Sequence, residues 1–539
     1  MSAFSIIEDF RVKTNQAFLD KAAVLEPVLN RRTIKPKYMV SVEEDQYGEA
    51  VVRKTAEMWE LSSMHFRKGN KVVFDFGDHQ VGYVSFTAEA LGSHFDAPAY
   101  IRLKFAEVPA ELMEDSDAYD GWLSKSWIQE DVLHLDILPY TEKLPRRYAF
   151  RYMQIEILDT SPKYSLKLSN IICNYASAVE MSSIEPLGSE DEMLNDIDRI
   201  SIKTLMDCMQ KVFEDGPKRD RRLWLGDFRL QARVNYVTFK NFDMVKRCLY
   251  LFAGMTFHDG RMGACFFHEP DLQVDDTYLM DYALFFCPVL WDYYEASGDE
   301  ETLQELYPQA VGQINICIET MLDENHIVID QGETFWCFLD WGEGLNKQAG
   351  AQAVLIYAIR YGIRLARALG DYERVQQLEK QMDILKKAAV ETFWNEELGM
   401  FVSGNERQVS WATQVWMILA RVFNEEKSRE LILHTQQMNP EISMVTPYMY
   451  HHYVDALIQC KEEEKALAEM KRYWGGMIKD GADTFWEVYN PCNKQESPYG
   501  CAMVNSYCHA WSCTPAYLLR KFYKGNEKFK ELFRSVDDR

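Results

Sequence analysis

Two hydrophobic rhythms divide the chain. Up to about residue 185, apolar and polar positions mostly alternate, the period of a half-buried strand. Ile101-Arg102-Leu103-Lys104-Phe105 alternates residue by residue. Val72 to Phe76 and Tyr83 to Phe86 read as two short strands joined by a turn-rich link from Gly77 to Gly82. Leu133 to Leu138, Tyr148 to Ile157 and Leu166 to Cys173 look similar. Short strands separated by turn signals predict an antiparallel β-sandwich over residues 41–185. Residues 1–40 read as a lead-in, helical or extended.

After Ile184-Glu185-Pro186-Leu187-Gly188 the period becomes helical. Ser189 and Glu192 have the spacing of a capping box. Apolar residues then recur about a turn apart, at 193, 194, 197, 200, 205, 209, 212 and 213. Later segments repeat a long apolar helix, a tight polar break and another helix, with breaks at Ser297-Gly298-Asp299, Gly370-Asp371, Asn424 and Lys461. These predict αα-hairpins of irregular length. Residues 190–525 have room for roughly a dozen helices of about 12 residues each. A ring of six helix pairs uses that number and leaves a funnel at one end, a natural small-molecule site. The helical unit is therefore placed at 186–525, with 526–539 as a tail.

The 539 residues carry 59 Lys+Arg against 83 Asp+Glu, a formal net charge of −24. A nucleic-acid partner is excluded on that ground, because polyanion binding depends on a dense basic surface. No run of about 18 apolar residues suggests a membrane span. The 12 Cys are scattered without CxxC or zinc-finger spacing. The N-terminus lacks a basic stretch followed by an apolar run of secretory length. These features predict a cytoplasmic protein with free thiols, needing no metal and no cofactor. A homodimer is left open.

Candidate chemistry sits in three runs. Glu214 to Asp227 packs Asp215, Asp220 and Asp227 among Lys218, Arg219, Arg221 and Arg222, with Trp224 inside. A solvated charged loop is the plain alternative, but such a loop rarely needs an indole. In Gly481 to Asn490, Glu487 lies among Phe485, Trp486 and Tyr489, where partial desolvation raises a carboxyl pKa. His509 follows, between small and aromatic residues, and a satisfied core histidine is the competing reading. Thr334 to Glu343 adds Trp336, Asp340 and Trp341, a composition suited to a sugar subsite. Separated carboxylate loops and many aromatics, with no GxGxxG, P-loop, HExxH or usable GxSxG, suggest glycoside hydrolysis. That reaction needs a proton for the leaving oxygen and a base or nucleophile on the opposite face.

The run Asp215…Lys218-Arg219-Asp220…Trp224-Leu225-Gly226-Asp227 resembles the first motif of family 78 glycoside hydrolases, the α-L-rhamnosidases. Thr484-Phe485-Trp486-Glu487 resembles the second catalytic motif, and Phe338-Leu339-Asp340-Trp341-Gly342 the family's Asp-Trp segment. The stretch from Asp75 to Ile157 is similar to the sandwich preceding the family's barrel. The resemblance implies a multidomain chain, β then α: an N-terminal antiparallel β-sandwich followed by an (α/α)6 barrel. It implies inverting hydrolysis of terminal α-L-rhamnose from small glycosides or oligosaccharides. Asp220 takes the general-acid position and Glu487 the general-base position. Asp215, Asp227 and His509 would hold sugar hydroxyls, Trp224, Trp336 and Trp341 would line the pocket, and Arg219, Asp340 and Trp486 complete the implied substrate-binding set. The sequence departs from the family in carrying Asp220 where Glu is common, and it shows no counterpart of the family's C-terminal β-sandwich. A glycosidase for another sugar and a non-catalytic sugar-binding protein remain the competing readings; a polysaccharide lyase fits the acidic charge less well.

Overall fold

A computed structural model describes residues 10–494 and 496–523, the side chain of Ser183 excepted. The tail at 526–539 lies outside the described residues. Two hydrophobic cores match the two rhythms of the sequence.

The first unit is an antiparallel sheet assembly folded on itself. Its strands are β2 (Asn30–Ile34), β3 (Tyr38–Glu44), β4 (Ala50–Glu57), β5 (Lys71–Gly92), β6 (Ala99–Ala106), β7 (Glu130–Leu135), β8 (Tyr140–Lys143), β9 (Tyr148–Asp159) and β10 (Tyr164–Ser177); β1 (Val12–Thr14) belongs elsewhere. The order is β2-β10-β5-β9-β6-β7, with β3 and β8 also on β5 and β4 on β3. The first half of β5 pairs with β3 and β9, the second half with β8 and β10. The link read as a turn from Gly77 to Gly82 is instead part of this one 22-residue strand. Its register on β9 slips between Asp75 and Gln80, where Gly77 adopts φ +82°. The glycine signal was that of a bulge, which bends a strand without ending it. Phe74, Phe76, Phe86, Phe105 and Phe150 fill the space inside.

The lead-in contributes to both units. β1 pairs with residues Met255–Phe257 of the helical unit, helix α1 (Gln16–Val24) packs on that unit, and β2 joins the sheet through β10.

The helical unit runs α2 (Glu192–Cys208), α3 (Leu225–Val237), α4 (Phe242–Gly254), α5 (Met280–Ser297), α6 (Glu300–Thr320), α7 (Gln348–Ala368), α8 (Tyr372–Phe393), α9 (Trp411–Leu419), α10 (Glu425–Met438), α11 (Pro447–Gln459), α12 (Glu463–Lys479) and α13 (Pro515–Leu518). Alternate helices α3, α5, α7, α9 and α11 contact in series, and the ring closes through Ala510–Ser512 and α13 back onto α3. These inner helices are buried along most of their length; α7 and α9 are correspondingly rich in apolar residues, whereas α3 also buries Asp227, Arg229, Gln231, Arg233 and Asn235. The outer partners are amphipathic. The Ser189 capping box is not formed: Asp191 caps α2 through the Met193 N–H, while Ser189 contacts the Tyr523 hydroxyl.

Candidate active site

The N-terminal ends of α3, α5 and α7 open on the same face of the ring, and the loops before them meet there. The loop from α2 to α3 brings Asp215, Arg219, Asp220 and Trp224, and the first turn of α3 brings Asp227. The stretch after α12 brings Glu487 and Tyr499, and the one before α13 brings His509 and Trp511. Together with Leu279, Tyr282, Phe335, Phe338 and Trp341 they line one narrow cavity of about 60 Å³.

Arg219 organises the floor. Its guanidinium donates to Glu487 Oε2 at 2.5 Å and reaches Asp220 Oδ1 at 3.2 Å, and its Nε–H donates to the Val504 carbonyl. Glu487 also accepts from the Tyr499 hydroxyl at 2.5 Å and the Ser506 N–H at 3.0 Å. The other arginines of the loop are turned away: Arg221 donates to the carbonyls of Pro217 and Arg147, and Arg222 lies over the Phe267 ring. Asp220 thus has one single-toothed contact with a guanidinium, not a bidentate clamp.

Four carboxyls share this space with one directly bonded cation, and their protonation follows. Asp215 accepts the backbone N–H groups of Asp220 and Arg222, which favours its charge. Burial and the charge of Asp220 win, pushing its pKa up to about 8. Burial and then Asp215 hold Asp227 well above the carboxylate range. Burial and the positive charge of Arg219 push His509 well below its ordinary value, so the imidazole is neutral. Asp227 Oδ1 and His509 Nδ1 are buried with no hydrogen-bond partner, 3.8 Å apart. An unpaired donor–acceptor pair facing a cavity is poised for a hydroxylated ligand.

Three residues of the implied substrate-binding set do not line the cavity. Asp340, itself buried, turns away from the cavity and accepts the N–H groups of Val445 and Thr446 and the Thr446 hydroxyl. Trp336 is buried in the helical core. Trp486 packs edge-on against Tyr489 and Tyr507. Each is next to a cavity residue or one removed from it, and successive side chains of a non-helical stretch point in different directions. The sequence reading did not assign Leu279, Tyr282, Phe335, Phe338, Tyr499 or Trp511 to the site. Phe335 and Phe338 lay inside the runs singled out, and Trp511 two residues beyond His509. Tyr282 had no signal, being one more aromatic in an apolar helix.

The sandwich grips these loops from behind. Lys218 donates to Glu111 at 2.5 Å and to the Asn505 carbonyl, and Glu107 accepts the Tyr507 N–H. Arg147 holds Glu214 at 2.6 Å. His79 lies between Asp207 at 2.7 Å and Glu107 at 3.0 Å. Among the described residues His79, Asp207 and Cys508 are close enough to hold a metal ion. The Lys203 ammonium already sits on Asp207, and Glu107 on the far imidazole nitrogen, so the protein itself answers these charges.

Two family models cover the chain: the glycosyl hydrolase family 78 α-rhamnosidase N-terminal domain over residues 36–175, and the bacterial α-L-rhamnosidase six-hairpin glycosidase domain over 183–522. A search of curated proteins gave no match. Among solved structures, a rhamnosidase from Klebsiella oxytoca with rhamnose bound is 43% identical, with a TM-score of 0.92, covering 95% of this chain and 99% of its own. A family 78 rhamnosidase of Bacillus sp. GL1 shares the fold at 22% identity and TM-score 0.71, over 87% of this chain and 49% of that one. The Streptomyces avermitilis α-L-rhamnosidase complexed with L-rhamnose does so at 15% and 0.62, over 92% and 44%. With both domain models in sequence and a relative matched over nearly its whole length, the chain belongs to the α-L-rhamnosidases of glycoside hydrolase family 78.

Proposed function

We propose that this protein hydrolyses terminal α-L-rhamnosides with inversion, Asp220 acting as general acid and Glu487 as general base. The observation that carries the reading is the bridge between them. One guanidinium contacts both carboxyls, at 3.2 and 2.5 Å. Because that fork is planar and rigid, the two contacted oxygens lie no more than about 8 Å apart. That bound brings both carboxyls to one sugar; an inverting pair stands about 6.5–9.5 Å apart, with a water between base and sugar, and a retaining pair about 5–5.5 Å, so the anomer first released decides between them. In the reaction Glu487 takes a proton from that water, the water oxygen bonds to the anomeric carbon, the glycosidic bond breaks and Asp220 protonates the departing oxygen. The buried, unpaired Asp227 Oδ1 and His509 Nδ1 would bond ring hydroxyls. Phe335, Phe338, Trp341 and Trp511 offer an apolar wall for the methyl of a deoxy sugar. That the Klebsiella relative was solved with rhamnose bound supports the choice of sugar.

Asp220→Asn and Glu487→Gln should each cut turnover of methyl α-L-rhamnoside by about 10²–10⁴-fold with the circular dichroism unchanged. Near-normal turnover in either removes that residue from its role, and a panel of aryl glycosides tests the sugar. We also propose a cytoplasmic setting, supported by twelve unbonded cysteines, ten of them buried. No described helix is long and apolar enough to cross a membrane. A homodimer is the assembly to test by light scattering; a monomer mass rejects it.

A further inference from the structure

Glu487 is registered on one residue of an irregular stretch. Its carboxylate accepts the Ser506 N–H at 3.0 Å, and its own N–H donates to the Ser506 carbonyl at 2.9 Å. Side chain and backbone of the base therefore both follow Ser506. The same residue ties in the loop of Asp220, because its hydroxyl donates to the Arg219 carbonyl at 2.8 Å. Yet residues 505–509 belong to no helix or strand, so their place is set by what grips them from outside.

Part of that grip comes from the sandwich. Glu107, the residue after β6, is buried, and its Oε2 accepts the Tyr507 N–H at 2.7 Å. The Tyr507 carbonyl accepts the Thr484 hydroxyl at 2.8 Å, so the residue next to Ser506 is tied through both its backbone groups. Glu107 is itself fixed. Its Oε1 faces His79 Nε2 at 3.0 Å, the other imidazole nitrogen faces Asp207 of α2 at 2.7 Å, and the Glu107 N–H donates to Glu111 at 2.8 Å. Behind it β6 lies inside the sheet, paired with β7 and β9. A path of buried hydrogen bonds thus runs from the sandwich through Glu107, Tyr507 and Ser506 to the base. What the Tyr507 N–H takes from Glu107 is an acceptor oxygen at the right reach.

We propose that Glu107 of the sandwich is a positioning residue for the general base: it holds Tyr507 and, through Ser506, sets where the Glu487 carboxylate meets the attacking water. The inference rests on the rhamnosidase reading and gives the N-terminal unit a part in turnover. Misplacing a reacting group by about 1 Å can cost about 10²-fold, so the role shows in kcat.

The test separates reach from charge. Glu107→Gln keeps the length: its oxygen can accept from Tyr507, while its NH2 donates to a neutral His79 whose Nδ1–H still donates to Asp207. Glu107→Asp keeps the charge but is shorter by one methylene, about 1.5 Å of bond. Glu107→Ala removes the acceptor. On methyl α-L-rhamnoside, kcat should fall by about tenfold or more in Glu107→Asp and Glu107→Ala, with KM held within about threefold, and Glu107→Gln should stay within about threefold of wild type. The losses should be the same on a dinitrophenyl rhamnoside, because water must be activated whatever group leaves. Thermal melts read the fold, and Glu107→Asp, which keeps the charge between His79 and Lys218, carries the test if Glu107→Ala does not fold. An unchanged kcat in Glu107→Asp, or a loss in Glu107→Gln as large as in Glu107→Asp, overturns the positioning role. So does a loss confined to the methyl glycoside, which would place the displacement at Asp220. No turnover of methyl or any aryl rhamnoside by the wild type is the separate failure: it overturns the rhamnosidase reading and the positioning role with it.

Discussion

Replacing Asp220 by Asn separates an acid from a structural residue. The Asp220 side chain is 19% exposed and makes one side-chain contact, with Arg219. Asn keeps an oxygen that can accept that bond, so the variant should cost the fold under about 1 kcal/mol. Its effect on catalysis is larger. A positioned general acid contributes about 10²–10⁴-fold, or roughly 2.7–5.5 kcal/mol of barrier. That whole loss should appear on methyl α-L-rhamnoside, whose alkoxide cannot leave unprotonated. A dinitrophenyl rhamnoside departs without a proton, so the loss there should shrink below about tenfold. The assay is steady-state release of methanol and of dinitrophenolate by wild type and variant, with thermal melts as the fold control. A second readout comes from Asp215, whose pKa is raised in part by the Asp220 charge. Removing that charge should move the Asp215 titration below its value of about 8. Equal losses on both leaving groups would refute the acid assignment, whatever their size.

Three further outcomes follow from the same geometry. Asp215 keeps its proton in the folded state up to about pH 8, whereas an unfolded Asp releases it near 3.9. Its contribution to stability is therefore fully present below pH about 4 and lost as pH rises through about 8; relative to Asp215→Asn, the wild type should lose urea stability between pH 5 and 8, and a constant difference contradicts the raised pKa. Asp340→Asn turns one accepting oxygen toward an N–H donor as a second donor, costing about 1–3 kcal/mol. Its melting temperature should drop while KM for methyl rhamnoside holds; a KM rise without a stability loss would make Asp340 a sugar ligand after all. Lys218→Met leaves Glu111 buried without its cation, a loss of about 3–5 kcal/mol that chemical denaturation would read; an unchanged midpoint would show that the sandwich does not brace the loop through this pair.

The large elements were legible because burial writes them into the sequence. Inner helices such as α7 and α9 are buried all round, and their apolar runs needed only Gly370 or Asn424 to mark the ends. Strands β6 and β9 showed the alternation of a sheet with one face in the core. What failed were signals with two structural meanings. Gly77 marks a bulge as readily as a turn, and only the partner strand β9, more than 60 residues on, decides. Ser189 has the spacing of a cap, but Asp191 outcompetes it two residues later. In the site, charge composition pointed to loops that meet at one cavity but not to side-chain direction. Trp336, Asp340 and Trp486 were grouped with neighbours that face the cavity, while they face the core or another loop. Tyr499 and Tyr282 enter through tertiary contacts alone, so nothing local could announce them.

The central claim is that Asp220 and Glu487 act on opposite faces of the anomeric carbon, with a water between base and sugar. Proton NMR of the sugar first released from an aryl α-L-rhamnoside, recorded before mutarotation, tests it most directly. The account predicts that β-L-rhamnose appears first and the α anomer grows in only as the two equilibrate. α-L-Rhamnose as the first product would mean retention through a covalent intermediate, and would contradict it.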